Sequence, residues 1–523
     1  MNWLDYVIVV AYSVGFLFLG NLFKGQSSKS EYFLGGRSFG WLPLGLSVMA
    51  TQLSAISFIS APAFVGLREN GGMQWLSFEF GVPLAMIFLS LFLLPRLYKA
   101  GVVSIYEYLQ RRFDRSTRLL ISAVFQISRS FGTAVMVYAV ALILMSILDI
   151  PFWQTILVIG VITLIYSYQG GMKAVVYGDM IQMIILLIGI GICMVAGWSY
   201  LGGWSELTAN VDASRLNAVN FEVLGIGGDG GFGFLPMVFG GFCLYASYYG
   251  TDQSQVQRLL SAKDFKTVQK TLLFNGLIRF PITLLYCLMG LVIGTYVLTT
   301  PEFLAKIPSD QVDLMIPIFI RDYLPHGIIG LLIVAILSAA MSSLSSAINS
   351  LSAVTTEDIL VGNKEVSDEL YARYSKGASL FWGVVCIVLA FFAGDIADTV
   401  IEAINKIGSV FYGPILATFI AAVGLKFIKA RAMNIGLVLG VGVNIFLWLV
   451  VGDNLFWFWW NLVGAVVTLG VALLAAMVMK ETSTEAETAS DDMDVSANRQ
   501  YMLMLVASFV LMVLISLSIK YWF

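Results

Sequence analysis

The 523-residue chain is 59% hydrophobic and only 12% charged, with a mean hydropathy of +0.85. That composition excludes an ordinary soluble domain and describes a polytopic, all-α membrane protein embedded in a lipid bilayer. The formal net charge of −3 says little about partners and requires no nucleic acid.

Apolar stretches of about 17 to 30 residues recur throughout, long enough for helices that cross a bilayer. The roughly ten-residue alternation of a barrel strand does not dominate anywhere. Fourteen spans are predicted, at 3–22, 39–66, 73–95, 117–148, 151–169, 174–201, 233–250, 271–297, 327–351, 376–394, 399–425, 432–452, 454–479 and 499–522.

The first span has neither a charged leader nor a small-residue cleavage site before a soluble domain, so it reads as a retained helix rather than a signal peptide. In the second, Pro43 and Pro62 flank Thr51, Gln52, Ser54, Ser57 and Ser60, and polar groups interrupt the helix at its middle. Transporters use such discontinuous helices near the midplane, where unwound carbonyls face a cation and half-helix ends face substrate. The alternative is a merely kinked helix. Arg129, Arg279 and Lys406 sit inside the fourth, eighth and eleventh spans, where a charge needs a partner or a function. Cys193, Cys243, Cys287 and Cys386 lie in apolar spans and read as buried hydrophobes without disulfide or metal spacing. Residues 202–232, rich in Gly, form a predicted external loop, and His326 after Pro325 reads as structural.

The ninth span carries the densest signal, Ser338-Ala339-Ala340-Met341-Ser342-Ser343-Leu344-Ser345-Ser346. Lipid offers hydroxyls no water, so they must bond to their own helix, a neighbour or a passing solute. Ala339, Ser342, Ser343 and Ser346 recur at helical spacings that put backbone and hydroxyl oxygens on one face, and hard cations such as Na+ take oxygen ligands. A packing stripe of small residues is the competing reading. Residues 480–498 are an acidic low-complexity linker expected to be disordered.

Lys and Arg concentrate in one set of alternate loops and span ends: Lys24 to Arg37, Arg96 to Arg118, Lys173, Arg258 to Lys270, Lys364 to Lys376, Lys426 to Arg431, and Lys480 with Arg499. The opposite set holds only Arg68, Arg215, Lys306, Arg321 and Lys520. Cytoplasmic loops carry the excess of cations, so both termini are expected outside the cytoplasm of a cell (inner) membrane.

Six segments together resemble the sodium:solute symporters: EYFLGGRS at 31–38, ATQLSAISF at 50–58, SIYEYLQRRFDR at 104–115, GGMKAVVYGDMIQ at 170–182, GTDQSQVQR at 250–258 and SAAMSSLSSAINS at 338–350. The resemblance covers nearly the whole chain, which forms a single transporter domain, 1–523. It implies a leucine-transporter-like core of two inverted five-helix repeats at about 39–425. An extra helix and loop at 1–38 precede that core, and extra helices at 426–523 follow it.

Carried across residue by residue, the resemblance implies one sodium held by the carbonyls of Ala50, Leu53 and Ala339 and the hydroxyls of Ser342 and Ser343. A second sodium, present in some members, matches Asp179, Ser342, Ser345 and Ser346. Alternatively, Asp179 pairs with Lys173 or caps a helix. For substrate, Gln52, Ser54, Ser57, Glu79 and Arg129 should converge, while Tyr245, Tyr248, Arg279 and Asn405 resemble sugar contacts or gates. Glu79 favours hydroxyl recognition, because a carboxylate accepts paired bonds from a diol. Arg129 favours a carboxylate, onto which a guanidinium forks, unless it pairs with Glu79 instead.

No HExxH, GxSxG or carboxylate dyad marks an enzyme, and no continuous polar pore with a selectivity ring marks a channel. The expected function is Na+-coupled import of a small polyhydroxylated solute, a sugar or sugar acid. A monocarboxylate or vitamin is the alternative substrate.

Overall fold

The computed structural model describes residues 1–523 apart from 25–28, 54, 149, 229, 310, 394–399 and 482–497. The expected acidic linker falls almost wholly outside the described residues. Helix α1 (Trp3–Leu22) begins at a capping box, with the Asn2 side chain accepting from the amides of Leu4 and Asp5 and the Asp5 carboxylate accepting from the Asn2 amide. α2 (Trp41–Gln52) stops where Leu53 leaves helical geometry at ψ 90°, and α3 (Ala55–Gly66) resumes at an angle of 57° to it. The span is therefore broken, not merely kinked.

Next come α4 (Met73–Ala100), which mixes 3-10, α and π turns, and α5 (Arg115–Leu148). Residues 152–201 form one 50-residue helical stretch in which Gly171, at φ 48°, divides α6 (152–170) from α7 (172–201). The left-handed φ is one that glycine adopts without steric cost. Beyond the loop lie α8 (Gly241–Thr251), α9 (Gln253–Leu260), α10 (Phe265–Thr299) and α11 (Ile328–Val354). α12 (Asp368–Phe391), α13 (Val400–Gly424), α14 (Ala430–Phe446), α15 (Phe458–Val478) and α16 (Arg499–Ser518) complete the chain.

Among the described residues, eleven helices are long and apolar enough to cross a membrane, or twelve with the bent α2/α3 pair counted. The expected fourteen crossings are not all separate helices of spanning length. Two of them run together through Gly171, and the segment at 233–250 gives a five-residue π turn followed by the eleven-residue α8.

α11 is the central element. From Ser338 to Val354 all its residues are buried except Ser343, so its hydroxyls meet other helices instead of lipid. α1 and α7 pack on it, and Asp5 ties α1 to its start by accepting the amides of Gly327 and Gly330 at 2.7 and 3.0 Å. His326 Nδ1 lies 3.0 Å from the same carboxylate, in keeping with a structural role. α10 meets α3 backbone to backbone. A Cβ on Gly290 would lie 2.5 Å from the Pro62 carbonyl oxygen, and one on Gly294 would lie 2.4 Å from the Gly66 Cα. Small residues four apart allow this approach. The four cysteines are unpaired and buried.

Candidate functional site

α2 ends at Gln52, which places its last carbonyls at the negative end of the half-helix dipole. Ala50 and Leu53 are buried there. Thr51 Oγ1 lies 3.2 Å from Ser346 Oγ, and Ser343 Oγ donates to the Ala339 carbonyl at 3.3 Å. Thr51, Gln52, Ser343 and Ser346 line a cavity of about 150 Å³ whose other walls come from α5, α8, α13 and the start of α9.

Arg129 of α5 lines the same cavity. Its Nη2 donates to Asp252 Oδ2, and its guanidinium lies 5.6 Å from the centre of the Tyr248 ring. Tyr248 in turn packs on Tyr412 and donates to the Thr51 carbonyl at 3.4 Å. Asp252 caps α9, since its Oδ1 accepts from the amide and hydroxyl of Ser254 at 2.8 and 2.6 Å. Gln52 is oriented by the Tyr249 hydroxyl, which donates to its Oε1.

Glu79 is held elsewhere. Arg279 donates Nε and Nη2 to its two oxygens, each at 2.7 Å, and Thr283 donates to Oε1 at 3.0 Å. Its ion-pair partner is thus Arg279 and not Arg129, and it is not among the residues that line the cavity. Tyr245 lies buried with its ring 5.8 Å from the Arg279 guanidinium, so these two expected substrate contacts belong to the Glu79 cluster. Ser57 is half-buried in α3 and is not among the lining residues. Ser54 and the side chain of Asn405 lie outside the described residues. Lys406 reaches Asp453 at 3.4 Å.

Asp179, fully buried on α7, accepts from Ser47 Oγ at 2.5 Å, Ser342 Oγ at 2.7 Å and Arg258 Nη2 at 2.8 Å. Its counter-charge is thus Arg258, not Lys173. Ser345 Oγ turns to the Ser342 carbonyl at 3.0 Å. Arg258 and Arg118, both counted from sequence among the loop cations, are buried, with Arg118 paired to Asp358 at 2.6 Å.

A family model for the sodium:solute symporter family matches residues 32–440. The chain belongs to that family. The human sodium/iodide cotransporter is 30% identical over 454 residues, which cover 86% of this chain and 69% of that protein. Mouse sodium-coupled monocarboxylate transporter 2 is 27% identical over 461 residues, covering 86% and 73%. In three dimensions the chain is similar to a Na+-coupled sialic acid symporter in a substrate-bound outward-open state, with a TM-score of 0.81 at 24% identity over 91% of this chain and 98% of that one. It is also similar to Mhp1, a nucleobase-cation-symport-1 family transporter, with a TM-score of 0.55 at 12% identity over 91% and 99%. At these identities the likeness carries the fold, a leucine-transporter-like helical core. This symporter is a sodium-coupled carrier, not an enzyme, and Na+ is its coupling ion.

The residues at the α2–α11 junction fit Na+ chemically: they offer oxygens, the carbonyls at the end of α2 on one side and the cavity-facing Ser343 hydroxyl on the other. Ser342 directs its hydroxyl proton to Asp179, with its oxygen lone pairs still available to an ion. Sequence reasoning missed Asp252, Arg258, Tyr249 and Tyr412. The one signal for Asp252 was the Asp-x-Ser spacing of a helix cap.

Proposed function

We propose that this symporter takes up a small organic carboxylate with Na+, in the monocarboxylate or vitamin class, with Arg129 as the carboxylate receptor. The observation that carries this reading is the placement of Arg129 as the cationic side chain lining the cavity that Ser343 and Gln52 also line. A guanidinium binds a carboxylate through two parallel bonds, and Asp252 engages it through Nη2 alone among the described contacts. A cavity of about 150 Å³ suits a molecule of roughly benzene's size, about six heavy atoms, such as a small monocarboxylate, and a vitamin or a sugar acid would need it to open. The sugar reading drawn from Glu79 has less support, because Arg279 and Thr283 donate three bonds to its two oxygens and Glu79 does not line the cavity. Similarity to sodium-coupled iodide and monocarboxylate carriers supports an anionic cargo.

The last turn of α2 links ion and solute. The carbonyls of Ala50 and Leu53 face Na+, while Thr51 and Gln52 border the solute cavity, so each ligand orders the turn that the other needs. Movement of α2–α3 away from α11 then releases both. The basic loops support a topology with both termini outside the cytoplasm.

The test is uptake of labelled lactate into proteoliposomes with and without an inward Na+ gradient, challenged with pantothenate, iodide, sialic acid and glucose. The expected result is saturable, Na+-dependent uptake displaced by small carboxylates and unaffected by glucose. Strongest competition by glucose or sialic acid overturns the proposal in favour of the sugar class.

A further inference from the structure

Three helices bring oxygens to one buried point. Asp179 on α7, Ser47 on α2, and Ser342 and Ser346 on α11 form a cluster of the composition that hard cations take. The positive group among them is the guanidinium of Arg258, from the short buried helix α9. Its Nη2 donates to Asp179 Oδ2 and Ser346 Oγ, its Nε donates to Ser47 Oγ at 2.7 Å, and its Nη1 donates to the Ser254 carbonyl.

The direction of these bonds decides whether an ion fits beside them. The Ser47 and Ser342 hydroxyls point their protons at Asp179, and Arg258 points its protons at the Ser47 and Ser346 oxygens. Arg258 thereby engages a lone pair on each of Ser47, Ser346 and Asp179 and already supplies the positive charge that a metal ion would bring. An added Na+ would also set two cations around one carboxylate in a medium of low dielectric, where like charges repel strongly.

We propose that Arg258 is a tethered cation standing where a second sodium would bind, so that Asp179 takes no Na+ in the transport cycle. The chain then moves one Na+ fewer per solute than a transporter that loads both clusters. This rests on the reading in which Na+ is coupled at the α2–α11 junction. The same arrangement joins the ion pairs, because Ser254 donates to Asp252 while its carbonyl accepts from Arg258. α9 thus spans from the Arg129 cavity to the Asp179 cluster.

Equilibrium binding of radiolabelled Na+ to the purified, lipid-reconstituted protein tests the proposal. The parent should bind one Na+ per chain, and Arg258→Gln, which frees Asp179, should bind two and become thermally stabilised by Na+. Arg258→Lys should stay at one. Should Arg258→Gln fail to fold, the neutral pair Asp179→Asn/Arg258→Gln removes charge and counter-charge together, and it should bind as many Na+ as the parent. Two Na+ in the parent with one lost in the neutral pair overturns the proposal, as does an unchanged count in a folded Arg258→Gln. Failure of the coupling reading looks different: the parent binds none, and Arg258→Gln alone gains a single Na+.

Discussion

Among the arginine–carboxylate pairs inside the helices, those of Glu79 and Asp252 differ in closure. Glu79 and Arg279 meet through two parallel bonds with their side chains 2% and 5% exposed, and Thr283 adds a third donor. Asp252 and Arg129 meet through Nη2, at 6% and 18% exposure, on the wall of a cavity. A sealed bidentate pair holds helices α4 and α10 in register. A singly bonded pair facing a cavity has a donor edge to offer and a bond that an incoming carboxylate can replace. Charge inside a membrane protein is thus no guide to function until the access to it is known.

The largest effect separating the two should come from Glu79→Gln, which leaves the Arg279 guanidinium buried without its counter-charge. Breaking one side of a buried pair costs about 3–5 kcal/mol, so the variant should show a lower unfolding temperature and poor recovery from membranes. Its surviving fraction should transport with an unchanged KM. A well-folded Glu79→Gln with weakened substrate affinity would instead return Glu79 to the solute site. Arg129→Lys should do the reverse. The fold should survive, while the second bond of the carboxylate fork is lost, at about 1.5–3 kcal/mol for a charge-assisted bond. Lactate KM should then rise about ten- to hundredfold.

Ser343→Ala carries the comparison to the ion side of the cavity. It removes one oxygen from the face opposite the α2 carbonyls while leaving the volume almost unchanged. A charge-assisted contact of about 1.5 kcal/mol corresponds to about tenfold weaker apparent Na+ affinity, read from uptake against Na+ concentration. Unchanged Na+ dependence would remove Ser343 from the sodium site.

The sequence made the broken span and the hydroxyl run legible because both interrupt an apolar background, and local polarity is informative there. The Asp179, Ser342 and Ser346 cluster was legible as a group only through the resemblance to the family. Its counter-charge was not. GTDQSQVQR reads as a solvated basic loop, yet residues 253–260 fold into a helix buried along its whole length. Local composition does not distinguish a polar loop from a polar helix inserted among others. The partners are also remote in sequence, since Arg258 meets a residue 79 positions away, Arg129 one 123 away and Arg279 one 200 away. Pairings at such separations are properties of the folded chain. For that reason the sequence offers Glu79 and Arg129 to one another as partners.

The smallest expected effect, and the sharpest on what the cavity is for, belongs to Asp252→Asn. Asparagine keeps the carbonyl oxygen that accepts from the Ser254 amide and hydroxyl, so the cap of α9 is retained. The other carboxylate oxygen becomes an amide donor that cannot accept from Arg129. The guanidinium is left without its internal anion, and a substrate carboxylate no longer has to displace one. Apparent affinity for lactate should therefore rise about three- to fivefold, equivalent to about 0.7–1 kcal/mol, with Na+ still required. The gain should be confined to carboxylates, because an uncharged solute does not compete for Arg129. Weaker lactate affinity in a folded Asp252→Asn would mean that Asp252 orients Arg129 for the solute and does not compete with it. The carboxylate would then bind beside the ion pair instead of replacing half of it.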